Sequence, residues 1–410
     1  MPHLRTGNRD LIRRINQNLL LNLIRTQGPI SRADLAKRTQ LAPATVSQIT
    51  HALLSRGLVH EIGAGSSSGG RRPVLLKLEP QAGFVVGLKL AADSIAAAVT
   101  DLEATVLHYL EVPRAPDEPT TRTLRALIRT VERALKESRV DSKKVLGIGI
   151  GMGGVIDSQN GVCHFSTILN WRDVQVTQPI SEHFHLPVYV DNDVNTLTIA
   201  EQWFGHGKGV DHFVVITIGR GIGMGIVANG QFNRGAFGGA GELGHITLAK
   251  DGPPCDCGKR GCLEALASDP RVVEQARASI RAGKKTQLAE RGLTFDRIVA
   301  ATQAGDGLAQ RLLADSGRWL GIGIANVVNM LNPELVIVGG EGVRAGDWRF
   351  EAMHSAIREH TFNGLGNSLQ VVIEFGGDQT WARGAASLVL NEIFEHPIRQ
   401  RDNSQIAVRG

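Results

Sequence analysis

Apolar residues recur at helical spacing near the start of the chain. Between Asp10 and Arg25 they lie three or four positions apart, which predicts a helix with one buried face. These positions are Leu11, Ile12, Ile15, Leu19, Leu20, Leu23 and Ile24. The dipeptide Gly28-Pro29 marks the end of this helix, because proline cannot continue it.

Two shorter helices and two strands are predicted after that break. Ser31 and Asp34 have the spacing of a capping box, so a second helix begins there. Pro43 is suited to the first position of a third helix. Residues 58–60 and 74–78 then read as two strands on either side of a loop rich in glycine and serine.

This order of helices and strands resembles a winged helix-turn-helix, in which the third helix enters the major groove of DNA. Small and polar side chains on that helix could reach base edges and phosphates. These residues are Ala44, Thr45, Ser47, Gln48 and His51. Arg71 and Arg72 in the loop suit the minor groove or the phosphate backbone. The alternative is a small helical domain that binds protein.

The distribution of charge favours DNA over a protein partner. Residues 1–80 hold twelve Lys and Arg residues and four Asp and Glu residues, a net charge of +8. Because the whole chain has a net charge of +5, the remaining residues sum to −3. A basic segment attached to a nearly neutral body is typical of a nucleic-acid-binding head.

The rest of the chain mixes strand and helix patterns. Residues 83–99 predict two strands joined by a short turn, 102–110 predict a third, and 121–138 have helical periodicity. The continuous apolar run at 145–150 is typical of a strand that is buried on both faces. A further strand at 188–190 ends in a polar cluster, and a helix is expected to begin near Thr196.

The second half continues this alternation of strands and helices. Strands are predicted at 213–218, 225–228 and 335–340, and helices within 270–315, at 319–331 and at 385–394. The mixture predicts an α/β fold for the body. The polar tail from Glu395 is expected to be disordered.

Three of the four cysteines lie in one short stretch, GELGHITLAKDGPPCDCGKRGCLE. The stretch predicts a zinc ion held by His245, Cys255, Cys257 and Cys262, because structural zinc prefers thiolate and imidazole ligands. The surrounding glycines and prolines suit a tight knuckle. Reduced cysteines without a metal, or a disulfide, are the alternatives. Cys163 is expected to be a buried, inert thiol.

The E-x-G-H and C-x-C-G-x-x-G-C-x-E motifs of this stretch resemble those of the ROK family of sugar kinases and sugar-responsive repressors. The resemblance implies a two-lobed, actin-like or ribonuclease-H-like sugar-kinase fold behind the winged helix-turn-helix. We expect the head at residues 1–80 and the first lobe at 81–195, joined by a C-terminal helix at 385–400. The second lobe, with the zinc site, is expected at 196–384.

The resemblance also implies a sugar site. In the family the zinc-bound histidine faces the sugar, and two glutamates touch its hydroxyls, which implies these roles for His245, Glu242 and Glu264. An Asn-Asp pair in the family also binds sugar, and Asn192 and Asp193 match it. The alternative for this pair is a helix cap. Gly153 and Ile168 depart from the family pattern, which leaves the identity of the sugar open.

Both phosphate-binding loops of the family's kinases are altered here. Residues 89–93 read Lys-Leu-Ala-Ala-Asp where the kinases have D-x-G-G-T, so the carboxylate on the metal side is missing. Residues 219–223 keep the glycines of G-T-G-I-G but place Arg220 in the position of the threonine. We therefore predict no useful ATP site and no enzyme activity. For Lys89 and Arg220, a salt bridge or surface role is favoured over contact with a phosphorylated ligand.

These observations predict a sugar-responsive transcriptional repressor of carbohydrate utilisation genes, for example those for xylose. Operator DNA, a sugar effector and a second copy of the chain are the expected partners, in a homodimer or tetramer, because one head contacts one half-site. No apolar run of membrane-spanning length and no signal peptide are found, and the cysteine usage suits a reducing compartment, so a cytoplasmic protein is expected. The rival hypotheses are an active sugar kinase with an added head and a regulator controlled by a protein partner.

Overall fold

The computed structural model of the chain describes residues 9–64, 73–236, 238–374 and 376–394. Arg71 and Arg72, two of the predicted DNA contacts, lie outside the described residues. The head contains three helices and a three-stranded sheet of order β1-β3-β2. Its elements are α1 (Arg9–Gln27), β1 (Ile30–Ser31), α2 (Arg32–Thr39), α3 (Pro43–Ser55), β2 (Val59–Ala64) and β3 (Val74–Leu78).

The helix starts predicted for the head are confirmed. The Ser31 hydroxyl accepts a hydrogen bond from the Asp34 N–H at 3.1 Å, which caps α2. Pro43 is the first residue of α3. The two-residue strand β1 was not predicted; it pairs Ile30 with Leu76 of β3.

The first sheet of the body has the order β11-β7-β4-β5-β6. Strands β11 and β4 run parallel to β7. Strand β5 is antiparallel to both of its neighbours, β4 and β6. A small separate sheet, β10-β9-β8, follows β7. The elements of this part are β4 (Phe84–Leu90), β5 (Ser94–Thr100), β6 (Val106–Pro113), α4 (Thr120–Ser138), β7 (Val145–Met152), β8 (Val155–Asp157), β9 (Val162–Ser166), β10 (Trp171–Gln175), α5 (Thr177–Phe184) and β11 (Val188–Asn192).

The second sheet has the order β14-β13-β12-β15-β16. Its core includes Leu320 and Ile324 of the long helix α10, which packs along α11. The elements of this part are α6 (Asp193–Phe204), β12 (Phe213–Ile218), β13 (Ile222–Ala228), β14 (Gln231–Asn233), α7 (Leu263–Ala267), α8 (Asp269–Arg281), α9 (Phe295–Gln303), α10 (Gly307–Leu331), β15 (Leu335–Gly339), α11 (Asp347–His360), β16 (Gln370–Ile373) and α12 (Asp378–Phe394).

Helix α12 packs closely on the first sheet, because that sheet carries glycines. A Cβ atom added to Gly87 would lie 2.0 Å from the Ala382 carbonyl oxygen, and one added to Gly149 would lie 1.9 Å from that of Ala385. The same helix completes the core of the head, where Phe394 belongs to one buried cluster with Leu20. The head and the first sheet therefore share one core.

Several boundaries differ from the predicted ones. Helix α6 begins at Asp193 rather than near Thr196, because Asn192 caps it. This helix crosses the predicted lobe boundary at residue 195, and the division into lobes stays a prediction. Helix α12 begins at Asp378 rather than at 385, and β13 begins at Ile222 rather than at 225. Strand β6 lies at Val106–Pro113 rather than at 102–110.

Candidate metal centre and ligand-binding residues

The four predicted metal ligands meet in the structure. One donor atom from each of His245, Cys255, Cys257 and Cys262 lies within 4.8 Å of the other three. The Cys255 sulfur is 3.6 Å from His245 Nδ1, and the Cys257 and Cys262 sulfurs are 3.7 Å apart. All four cysteines of the chain are free thiols, so the disulfide alternative is excluded. The cluster could hold a metal ion through three sulfurs and Nδ1.

Glycines shape the knuckle that carries the cysteines. The Gly258 N–H donates to the Cys255 carbonyl at 2.9 Å, and the Cys255 N–H donates to the Lys259 carbonyl at 2.8 Å. Gly261 has a φ of +66°, and a Cβ atom there would lie 1.5 Å from the Ala249 carbonyl oxygen. No other residue fits at that position, because the backbone of the loop would have to move.

The Cys255 and Cys262 thiols are protonated in the absence of a metal. Burial raises the pKa of Cys255 to about 12, and it also raises the pKa of Cys262. A bound metal would displace these protons, since thiolate is the form that ligates.

The second ring nitrogen of His245 points away from the thiols and lies 3.9 Å from the Glu242 carboxylate. Both side chains are partly exposed to solvent. A metal on Nδ1 would fix the ring and hold Nε2 beside this carboxylate, where a hydroxyl group could bond to both.

Close glycine contacts hold these residues against β13. The Met224 N–H donates to the Gly241 carbonyl at 3.1 Å. A Cβ atom on Gly244 would lie 2.2 Å from the Ile222 carbonyl oxygen. The Glu264 carboxylate accepts the Ile222 N–H at 2.9 Å. Glu264 and the segment that carries Glu242 and His245 therefore gather at the start of β13.

Asn192 forms the helix cap that the sequence left as an alternative. Its Oδ1 atom accepts the Val194 N–H at 2.9 Å, and its Nδ2 atom donates to the Gly154 carbonyl at 2.9 Å. The cap places Asp193 on the first turn of α6.

Asp193 is paired with a lysine from the altered phosphate loop. Its carboxylate accepts a short hydrogen bond from Lys89, whose ammonium also lies 4.3 Å from the centre of the Trp381 ring. The two charged side chains are 14% and 16% exposed, so the pair is mostly shielded from solvent. The salt-bridge role expected for Lys89 is confirmed, and its partner is a predicted sugar ligand.

The segment from Gly221 to Gly223 touches both groups of predicted ligands. A Cβ atom on Gly221 would lie 2.7 Å from the Glu264 carboxylate, and one on Gly223 would lie 2.6 Å from the Val194 side chain, next to Asp193. The loop that keeps the kinase glycines thus packs between residues from α6 and α7.

Comparison with known proteins assigns both parts of the chain. The ROK family model matches residues 85–392, which is most of the 410 residues. The chain belongs to the ROK family. The MarR family model matches residues 15–61 in the head.

Relatives of this ROK family protein span nearly its whole length. The xylose repressor of Bacillus subtilis (strain 168) is 32% identical over 391 residues, covering 95% of this chain and 98% of that protein. The DNA-binding transcriptional dual regulator NagC of Escherichia coli (strain K12) is 29% identical over 367 residues, covering 89% and 90%.

Solved structures of ROK family proteins agree with the predicted fold class. A ROK family transcriptional regulator, described as a homolog of the E. coli MLC protein, has a TM-score of 0.84 and 31% identity, covering 94% of this chain and 97% of that one. A ROK family glucokinase from Streptomyces griseus, solved with glucose and AMPPNP, has a TM-score of 0.64 and 28% identity. This match covers 75% of this chain and 99% of the glucokinase chain. The winged helix-turn-helix joined to a sugar-kinase fold is confirmed.

The MarR-type head presents most of the predicted DNA contacts to solvent. Four of the five predicted contacts on α3 are exposed and Thr45 is half-buried, whereas Val46 and Ile49 face the core. The exposed residues are Ala44, Ser47, Gln48 and His51. Their contact with DNA stays a prediction.

Sequence reasoning missed a buried ion pair in the ROK part of the chain. The Asp191 carboxylate accepts from Arg234 Nε at 2.8 Å and from Asn195 Nδ2 at 2.7 Å. Asp191 belongs to the first sheet, and Arg234 follows β14, an edge strand of the second. Asp191 could have been noticed because it begins the polar cluster Asp191–Asn195. Its partner Arg234 lies 43 positions away, so no local pattern indicates the pair.

Among the described residues, no helix combines the length and apolar character that crossing a lipid bilayer requires.

Proposed function

We propose that this ROK family protein is a sugar-responsive transcriptional repressor. One observation carries the proposal: a MarR-type head and a ROK body with an assembled His-Cys cluster occur in one chain. The head supplies DNA binding and the body supplies the response to sugar. The named relatives, a xylose repressor and NagC, support this division of labour.

The metal is zinc, and its role is structural. A tetrahedral zinc with bonds of about 2.3 Å to sulfur places its sulfur ligands about 3.8 Å apart. The 3.7 Å separation of the Cys257 and Cys262 sulfurs supports this ion. His245 would hold this zinc through Nδ1 and keep its Nε2 atom facing Glu242, so the ion would serve to fix the ligand site.

The ligand is a neutral sugar held by Asn192, Asp193, Glu242, His245 and Glu264. Carboxylates and an imidazole accept hydrogen bonds from several hydroxyl groups of one ring. Lys89 neutralises the charge of Asp193. Among the described residues, Glu242 has only a long contact with His245, and Glu264 forms no ion pair. These two negative charges repel a sugar phosphate and favour an uncharged ring.

The protein does not phosphorylate its sugar. Lys89 stands where the family's kinases carry the carboxylate on the metal side, and its ammonium already occupies Asp193, which matches their catalytic base. A metal-nucleotide complex would have to displace this cation. Lys89 and Asp193 thus occupy two positions that are catalytic in the kinases, and here they serve to bind the ligand.

Helix α6 couples the sugar to the head. Its first turn carries Asp193, and its last turn carries Trp203 and Phe204. The helix has 12 residues and is therefore about 18 Å long. Arg25 of α1 stacks on both of these aromatic rings. A sugar that moves the start of α6 shifts the position of α1, and it can shift repression only by its differential affinity for the two arrangements. The protein acts in the cytoplasm as a homodimer or tetramer, so that two heads reach two half-sites.

A panel of pentoses, hexoses and amino sugars, each with and without a phosphate group, tests the proposal by thermal shift. Operator DNA is first selected from a random duplex library, and its affinity is then measured with each sugar that binds. One unphosphorylated sugar should stabilise the protein and change operator affinity. Glu242→Gln should weaken the binding of that sugar, whereas the control Glu351→Gln, at an exposed position of α11, should leave it unchanged.

Two outcomes would contradict the proposal. Sugar-dependent release of ADP from ATP would favour an active kinase. Operator binding without a response to any sugar would favour control by a protein partner.

A further inference from the structure

A pocket of about 290 Å³ on the first sheet is lined by four arginines and by none of the predicted sugar ligands. It lies between helix α4 and the ends of β5 and β6. The charged lining residues are Arg114, Glu118, Arg122, Arg129 and Arg133, a net charge of +3. The proposed function uses none of them.

Arg114 is a buried cation that has no carboxylate partner among the described residues. Its side chain donates to the carbonyls of Ala91, Ala92 and Pro116 and to the Thr123 hydroxyl, and the residue is 7% exposed. Its Nε atom is buried and has no hydrogen-bond acceptor among the described residues. Buried charges in proteins are normally paired, because removing an ion from water is costly. The positive charge of Arg114 is therefore met only by neutral acceptors among the described residues, and an anion in the pocket would compensate it.

The other arginines lie on one face of α4. Arg122, Arg129 and Arg133 are spaced seven and four positions apart, so their side chains emerge from neighbouring points on the helix. Arg129 is exposed and forms no ion pair with any described residue. Arg133 pairs with Glu137 at 2.7 Å, on the exposed surface.

Glu118 is the single acid in the lining. Its Oε1 atom lies 3.1 Å from Nε of the exposed Arg122, and its Oε2 atom is buried without a hydrogen bond to any described residue. Two further guanidinium groups, those of Arg114 and Arg129, remain without a carboxylate. Guanidinium groups bind phosphate oxygens in pairs of parallel hydrogen bonds.

We propose that this pocket binds a phosphate dianion, either free or as the phosphate group of a metabolite. Arg114 also holds the turn after β4, the strand that carries Lys89. An anion bound at Arg114 stabilises that turn. The pocket thus makes the chain sensitive to a phosphorylated compound at a place that the sugar does not use.

Calorimetric titration of the full chain with inorganic phosphate tests the inference, with chloride added to keep the ionic strength constant. Arg129→Ala should weaken phosphate binding by about tenfold, the usual loss for a charged hydrogen bond. Arg125→Ala is the matched control, because it removes the same charge from an exposed position of α4 outside the pocket. It should change the affinity by less than about twofold, as expected for a screened surface charge.

Glu118→Gln provides a gain of affinity that a merely structural role would not produce. The change removes the one negative charge from the lining, so phosphate should bind several-fold more tightly. The affinities of a hexose 6-phosphate and a nucleoside monophosphate are each compared with those of the unphosphorylated form and of inorganic phosphate. The comparison shows whether the pocket prefers free phosphate or the phosphate group of a metabolite. Equal losses in the Arg125 and Arg129 variants, or no saturable binding at millimolar phosphate, would overturn the inference.

Discussion

The guanidinium carbon of Arg25 lies 3.9 Å from the centre of the Trp203 ring. Phe394 and Phe204 also contact this guanidinium, at 5.3 and 5.7 Å from their ring centres. Burial lowers the pKa of Arg25 to about 10, so the group remains charged at neutral pH. One cation of the head thus contacts three aromatic rings of the body, and a movement of α1 relative to α6 or α12 would break these contacts.

Trp203→Leu should uncouple the head from the sugar. The substitution keeps an apolar side chain but removes the cation–π contact, which contributes about 2 kcal/mol in a desolvated setting. The ratio of operator affinities without and with the sugar should therefore fall by roughly tenfold or more. Fluorescence anisotropy with labelled operator measures both affinities. Trp348→Leu on α11, whose side chain is 47% exposed, is the control. An unchanged ratio in the Trp203 variant would refute the coupling.

Cys257→Ser should remove the metal. Structural zinc sites depend on all four ligands, and their binding energy contributes to folding. The purified variant should contain less than one zinc per chain and melt at a lower temperature. Because protons compete for the thiolates, zinc should also be released from the unaltered protein as the pH falls.

Cys163→Ser separates metal loss from general destabilisation. Burial raises the pKa of the Cys163 thiol to about 11, so it is a neutral core residue apart from the four ligands. This variant should melt at a lower temperature and keep its zinc. Elemental analysis that found zinc lost equally from both variants, or absent from the unaltered chain, would reject the metal assignment.

Asp269→Ala should destabilise the second sheet strongly. Arg349 is fully buried and lies 2.8 Å from the Asp269 carboxylate. Breaking such a pair leaves a buried charge without compensation and costs about 3 to 5 kcal/mol in the free energy of unfolding. Asp315→Ala, which breaks the exposed pair with Arg318, should cost less than about 1 kcal/mol. Urea denaturation compares the two, and similar losses would contradict the distinction.

Gly149→Ala should disturb the packing of α12 on the first sheet. The added methyl group would lie 1.9 Å from the Ala385 carbonyl oxygen, so the helix must move away. We expect a loss of about 3 kcal/mol or more, the upper range for an overpacked core. Gly239→Ala places its methyl group in open space and should leave the melting temperature nearly unchanged. A tolerated Gly149 variant would show that the interface is loose.

Features encoded within a few residues could be predicted from the sequence. The Ser31 cap, the start of α3 at Pro43 and the His-Cys cluster between His245 and Cys262 follow from short motifs. The missed features join distant positions. Lys89 and Asp193 are 104 residues apart, and no local pattern shows that they meet. The start of α6 was misplaced because several Asp and Asn residues there are equally good caps.

Helix α12 has a consequence for how the protein is made. It is translated after every other described element, yet it covers Gly87 and Gly149 and completes the cluster around Leu20. A nascent chain that has emerged only as far as β16 leaves the apolar surfaces of both the head and the first sheet uncovered. Prematurely terminated copies would therefore be recognised by chaperones and proteases before an unregulated head could occupy the operator.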